Sequence, residues 1–205
     1  MVALEIIGSN MLTIDTSHYT VGDPAFDNVQ SHVVTLRGKV HQEGRMTVCG
    51  SGKVIFANQH NSFTGGLTVS DTATLAVNAG CCPGVGLVSM GADTTLEVAQ
   101  SGTATLGGAL TLAKGATLAF TFTEEESVPM LSGEDVTFSS DTVNVKVSAE
   151  DGIKAKDARY LLTSGLDFAG KTVNLLEAPE WVKSVYVSNG DIVLVVKKGT
   201  AVILR

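Results

Sequence analysis

Apolar residues recur along this chain as apolar–variable–apolar triplets, and the triplets come in pairs. Leu67-Thr68-Val69 is followed by Leu75-Ala76-Val77, Val88-Ser89-Met90 by Leu96-Glu97-Val98, and Leu110-Thr111-Leu112 by Leu118-Ala119-Phe120. This alternation is that of a short strand with one buried face. In each pair the second triplet begins eight positions after the first. The same spacing joins Met46-Thr47-Val48 to Val54-Ile55-Phe56, Phe26-Asp27-Asn28 to Val34-Thr35-Leu36, and Leu4-Glu5-Ile6 to Leu12-Thr13-Ile14. Phe26-Asp27-Asn28 fits worst, because it turns Asn28 inward. Val136-Thr137-Phe138 precedes Val143-Asn144-Val145 at a spacing of seven.

The pairs begin at 4, 26, 46, 67, 88, 110 and 136, a period near 21. A fixed inner spacing inside a fixed period is the signature of a solenoid, in which each turn buries its apolar face against its neighbours. The expected fold is therefore all-β: a right-handed, single-stranded parallel β-helix of about seven coils. Coils stacked at about 4.8 Å make a rod roughly 30 Å long. The longer final step accommodates an acidic insert, Glu124-Glu125-Glu126, before Pro129. Turn-rich stretches such as 57–66 and 78–84 supply the corners and an irregular third side, with Gly where φ must be positive. An antiparallel sandwich of hairpins would also have short strands, but it has no reason to keep the period.

Beyond residue 149 the period is lost. The expected division is coils over 1–149 and a C-terminal β cap over 150–205. Tyr160-Leu161-Leu162, Val173-Asn174-Leu175-Leu176 and Ala201-Val202-Ile203-Leu204 read as strands, and 155–159 as a short turn or helix. The strongest local signal is Asn189-Gly190 between Ser184–Ser188 and Asp191–Val196, a hairpin turn whose two central residues tolerate positive φ. Trp181 is expected in the core of the cap, which covers the open edges of the last coil.

The chain has 205 residues, 44% hydrophobic and 17% charged, with 22 glycines and a net charge of −7. Low charge with many glycines suits short strands and turns. The acidic balance leaves no basic patch for phosphates, so no nucleic-acid partner is expected and anionic membrane surfaces are disfavoured. No apolar run approaches the roughly 18 residues of a membrane-spanning helix. The start of the chain lacks the features of a signal peptide. With the repeat already under way at Leu4, a signal peptide upstream of Met1 is expected.

The stretch Gly50-Ser51-Gly52-Lys53-Val54-Ile55-Phe56, continuing through Asn61-Ser62-Phe63-Thr64-Gly65-Gly66-Leu67-Thr68-Val69, resembles the autotransporter-associated β-strand repeat. That family has a GxG turn, an apolar strand, and an Asn-x-aromatic-Thr-Gly-Gly segment leading to a second strand. The resemblance covers about the middle half of the chain. It implies a passenger-type parallel β-helix, of the pectin lyase-like kind, in a large secreted or cell-surface bacterial protein that serves as stalk, adhesin or display scaffold. Such proteins end in a membrane β-barrel; too little chain follows residue 150 for one here, so export by another route is implied.

Parallel β-helices also include polysaccharide lyases and glycosidases, so chemistry must be sought residue by residue. The outward positions of the first strands are Glu5, Asp27, Thr47, Thr68, Ser89, Thr111 and Thr137; those of the second are Thr13, Thr35, Ile55, Ala76, Glu97, Ala119 and Asn144. The first is largely a hydroxyl ladder. Glu5 and Asp27 would be neighbours, the only carboxylate pair, and are read as two solvated acids. His18, His32, His41 and His60 have no metal-ligand spacing. Cys49, Cys81 and Cys82 imply neither a disulfide framework nor a zinc site. Gly50-Ser51-Gly52 and Gly84-Val85-Gly86 are turns, not phosphate loops. No catalytic, cofactor or metal site is assigned, and no enzyme is expected. The expected function is that of a non-catalytic stalk or scaffold. Its expected partners are surface polysaccharide, or another copy of the chain through the β-helix ends. A carbohydrate-binding adhesin is the alternative, and a polysaccharide-active enzyme a more distant one.

Overall fold

The computed structural model describes residues 12–15, 33–40, 44–156 and 158–197, the first of these by backbone alone. Among the described residues, nineteen strands form four sheets and there is no helix. The chain alternates between two long parallel sheets. The first contains β1 (Leu12–Asp15), β3 (Met46–Cys49), β5 (Leu67–Val69), β7 (Val88–Met90), β10 (Leu110–Leu112) and β13 (Val136–Phe138), adjacent in that order. The second contains seven: β2 (Val33–Leu36), β4 (Lys53–Phe56), β6 (Thr74–Val77), β8 (Thr95–Val98), β11 (Thr117–Phe122), β14 (Thr142–Ala149) and β17 (Thr172–Glu177). This arrangement is compatible with a parallel β-helix.

Register carries the periodicity into space. Val54, Leu75, Leu96 and Leu118 are successive partners across the second sheet, and all four are buried. Met46, Leu67, Val88 and Leu110 do the same in the first. A one-residue slip would turn each column to solvent, so these apolar columns pin the register. Burying one Leu side chain contributes on the order of 2 kcal/mol.

Three departures from the expected order have local causes. First, β1 is the partner of β3, with Thr13 beside Thr47, and is not stacked beneath Val34-Thr35-Leu36. The slot expected for Phe26-Asp27-Asn28 is thus filled by Leu12–Asp15, whose apolar alternation suits it better. Residues 4–6 and 26–28 lie outside the described residues, as do 201–204. Second, Leu118 meets Val145 and not Val143, so Ala119 stacks on Lys146 instead of Asn144. The strand β14 begins as early as Thr142, close behind β13, and the buried Val143 is partnered by Val173. Third, the segment expected to be irregular carries a further sheet in the later part of the chain. The strands β9 (Gly102–Thr105), β12 (Pro129–Ser132) and β16 (Thr163–Ser164) form a parallel sheet.

Parallel pairing also crosses residue 149. Val173-Asn174-Leu175-Leu176, read as a cap strand, lies in β17 and extends the second sheet. Residues 153–156 are irregular and not helical. The fourth sheet is antiparallel, with β19 (Asp191–Val196) between β15 (Arg159–Leu161) and β18 (Val182–Ser188). The turn joining β18 and β19 places Asn189 at φ 54° and Gly190 at φ 84°, as expected for Asn-Gly. Aromatic rings close the core beneath this sheet: Phe122 makes edge contacts with Tyr160 at 5.9 Å and Trp181 at 5.3 Å. Phe138 makes one with Phe168 at 5.2 Å. Trp181 is therefore partly buried against the core, where it packs on Phe122.

Candidate functional site

Two outward faces and one corner hold the polar chemistry. On the first sheet, Thr13, Thr47, Thr68, Ser89, Thr111 and Thr137 occupy one register column. The ladder is longer than expected, because Thr13 and not Asp27 is next to Thr47. Glu5 and Asp27 lie outside the described residues. At the end of the ladder the Thr111 and Thr137 hydroxyls are hydrogen-bonded at 3.0 Å. Stacked hydroxyls of this kind contribute only about 0.2–1 kcal/mol per pair.

The second sheet presents charges in opposite-sign pairs. Its outward column runs Thr35, Ile55, Ala76, Glu97, Ala119, Lys146 and Glu177. The small Ala76 lets Lys53 reach across its strand to Glu97, with Nζ 2.6 Å from the carboxylate. Thr121 donates to the same carboxylate at 3.2 Å. Lys146 pairs with Glu177 at 2.5 Å. Glu97 and Glu177 stand three strand steps apart, roughly 14 Å at sheet spacing. Paired-carboxylate glycoside chemistry needs separations of about 5–9.5 Å. Among the described residues no three His, Cys, Asp or Glu side chains are grouped so as to hold a metal ion.

The corner before the first sheet is built by the Asn-x-aromatic-Thr-Gly-Gly segment. Asn61 is buried; its Oδ1 accepts from the Val40 N–H at 2.9 Å, and its Nδ2 donates to the Asn58 and Cys82 carbonyls at 3.0 and 2.7 Å. It therefore ties three successive layers together. Phe63 is buried beside it. At Gly86 a Cβ would lie 2.6 Å from the Gly66 nitrogen, and at Gly108 a Cβ would lie 2.5 Å from the Gly86 oxygen. Only glycine lets backbones stack this closely.

Above this glycine column lies a shallow, open depression of about 300 Å³, lined by Arg45, Thr64, Gly65, Gly66, Leu67, Thr68, Leu87 and Ser89. No residue in it was singled out for binding from the sequence except the ladder members Thr68 and Ser89. Arg45 is exposed, immediately before β3. Leu87 is 47% exposed. Neither aromatic rings nor acids line the depression.

The remaining candidates are placed as follows. His60 lies exposed in a turn, its N–H donating to Asn58 Oδ1 at 2.8 Å; His18, His32 and His41 lie outside the described residues. No disulfide links Cys49, Cys81 and Cys82 to one another. Cys82 Sγ donates to the Gly84 carbonyl at 3.0 Å, and burial, then the neighbouring Cys82, push the Cys81 thiol pKa up. The acidic insert is tied to Lys156, which contacts Glu125 at 2.8 Å and Glu126 at 3.1 Å. Those hydrogen bonds push the Lys156 pKa up to about 12. No helix among the described residues is long and apolar enough to cross a membrane.

Comparison with protein-family models and with curated proteins finds no match for the chain.

Proposed function

We propose that this chain is a stretch of right-handed parallel β-helix that serves as a non-catalytic stalk or display scaffold in a secreted or cell-surface bacterial protein. The observation that supports this most is the register: two sheets advance together, one step for each 21 or 22 residues from Met46 to Leu110 in the first and from Val54 to Leu118 in the second. A chain that visits the same two sheets in strict alternation winds about one axis, and length grows with each turn. About seven such turns form a rod closed at its C-terminal end by the aromatic-filled cap.

The outward surfaces favour reach over chemistry. One carries a ladder of hydroxyls and the other carries charges already balanced by Lys53–Glu97 and Lys146–Glu177. The likeness of residues 50–69 to the autotransporter-associated repeat also supports this reading, together with the layer-joining role of Asn61 in that segment.

Two measurements test it. Small-angle scattering of the purified chain should give a rod-like profile with a constant cross-section. When the chain is inserted between a cell-surface anchor and an epitope tag, antibody access to the tag should increase. A compact globular profile, or release of reducing ends from polysaccharide substrates by the pure chain, would overturn the proposal.

A further inference from the structure

The positions immediately before the strands of the first sheet stack as a column of their own. Met46, Leu67, Val88 and Leu110 donate their N–H groups to the carbonyls of Gly66, Leu87, Ala109 and Asp135, one layer on in each case. The column therefore runs Arg45, Gly66, Leu87, Ala109 and Asp135. It reads cation, small, apolar, small, anion. Leu87 is at its centre, two layers from either charge, which is roughly 9.6 Å at strand spacing. Arg45 and Leu87 line one depression, so their side chains share a face. Arg45, Glu134 and Asp135 are exposed. Val85 and Leu87, on either side of Gly86, are 53% and 47% exposed. Next to them, Gly65-Gly66 in one layer and Gly107-Gly108-Ala109 in the other carry nothing larger than a methyl group. The middle of the face is thus an apolar ridge between two smooth strips.

We infer that this face pairs with the same face of a second copy of the chain, antiparallel, about a two-fold axis at Leu87. Such an axis maps the column onto its own reverse. Arg45 then meets the partner's Asp135, with the partner's Glu134 beside it, and the contact occurs twice. Leu87 meets the partner's Leu87 and leaves water, while Gly66 lies opposite the partner's Ala109 and lets the backbones approach. In parallel orientation Arg45 would face the partner's Arg45, and Asp135 the partner's Asp135, so like charges disfavour that arrangement. Within one chain Arg45 and Asp135 stand four layers apart, roughly 19 Å, too far to pair with each other. A face of five layers falls well short of the roughly 800 Å² per partner that a stable dimer buries, so the association is weak and reversible. The inference goes beyond the stalk reading: it uses the layer register alone, and it joins chains by their sides.

The test is sedimentation equilibrium of the full chain. The parent should show a monomer–dimer equilibrium with a dissociation constant between about 10 μM and 1 mM. Arg45→Asp sets two acids against each other at both ends of the interface, and Asp135→Arg sets two cations there. Each variant alone should dimerise about 10-fold or more weakly than the parent. An equimolar mixture of the two should recover the parent's affinity, because opposite charges meet again at both ends. That recovery also shows that both variants are folded, and only the antiparallel arrangement produces it. Leu87→Asp, a change at an exposed position, should abolish pairing. A parent that stays monomeric at about 1 mM, single charge reversals that dimerise like the parent, a mixture that recovers nothing, or a Leu87→Asp chain that still dimerises would each overturn the inference.

Discussion

Asn61 donates a 2.7 Å hydrogen bond from Nδ2 to the carbonyl of Cys82, one full repeat further along the chain. Its Oδ1 accepts from Val40, one repeat earlier. A buried side chain amide has the right complement for this, one acceptor and two donors on a planar group, so a single residue joins the layer below to the layer above.

Asn61→Ala should therefore be costly. It leaves the Val40 N–H and the Cys82 carbonyl without their partner, for a loss of about 3 kcal/mol. Urea denaturation should show a lower midpoint at unchanged slope. Asn61→Asp keeps the acceptor but has no donor while ionised; at low pH the neutral carboxyl regains one O–H donor, so only there should it fall between the parent and the Ala variant. An Asn61→Ala midpoint equal to the parent would show that these bonds do not hold the layers.

The glycine column gives a second prediction. A Cβ at Gly108 would lie within 2.7 Å of the Val85 oxygen as well as 2.5 Å from that of Gly86, both of them backbone atoms. Gly108→Ala should destabilise by about 3 kcal/mol, at the upper end of overpacking effects. Gly152→Ala is the control: nothing lies within 4 Å of its Cβ, and only its φ of +83° opposes the change, at about 1–2 kcal/mol. Thermal melting that ranks the two in the opposite order would contradict the close stacking.

Much of this architecture was legible because its strands repeat. Leu75, Leu96 and Leu118 could be aligned by counting, and they are consecutive partners. The Asn189-Gly190 hairpin was legible from backbone chemistry alone. The third-side strands were not, because Gly102-Thr103-Ala104-Thr105 buries only the small Ala104 and has no apolar triplet to count. The place of Leu12–Asp15 was missed for the opposite reason: it has the triplet, but a weaker triplet at 26–28 was assigned its slot by spacing. The offset at β14 was hidden because Val143, Val145 and Val147 are interchangeable by pattern, and only pairing with Leu118 and Phe120 selects among registers. The depression was invisible since its members come from positions 45, 64–68 and 87–89 and meet only through stacking.

Thiol chemistry separates the adjacent cysteines. Burial holds the Cys81 proton, raising its pKa above the ordinary thiol value, and only the thiolate is nucleophilic. At mildly alkaline pH Cys81 should be alkylated by iodoacetamide more slowly than Cys82, and unfolding should abolish the difference, as read by peptide mass spectrometry. The folded chain binds this proton more tightly than the unfolded chain. The stability it contributes is thus complete below the ordinary thiol pKa and declines as pH rises through and above it. Equal alkylation rates in the folded chain would contradict the burial of Cys81.

Lys156 gives a second pH dependence at the insert. Its pKa is pushed up to about 12 by Glu125 and Glu126, so the tether is fully present below the ordinary lysine range and is lost as pH rises through about 12. A Lys156→Met variant should show faster proteolysis within 124–126 at neutral pH while the melting temperature changes little, because both partners are solvent-exposed. Protection equal to the parent would show that the insert is held by something else.

The most direct test of the winding itself is a pair of designed cross-links in a chain whose three native cysteines are replaced by serine. Thr68→Cys with Ser89→Cys joins neighbouring strands of the first sheet, and Thr74→Cys with Thr95→Cys joins neighbours of the second. At a strand spacing of about 4.8 Å both pairs are within disulfide reach, whereas Thr68→Cys with Thr111→Cys, two steps apart at roughly 9.6 Å, is not. Mild oxidation should lock both neighbouring pairs and leave the two-step pair reduced. A neighbouring pair that stays open in either sheet, or a two-step pair that closes as readily, would contradict a backbone that lays each turn upon the last.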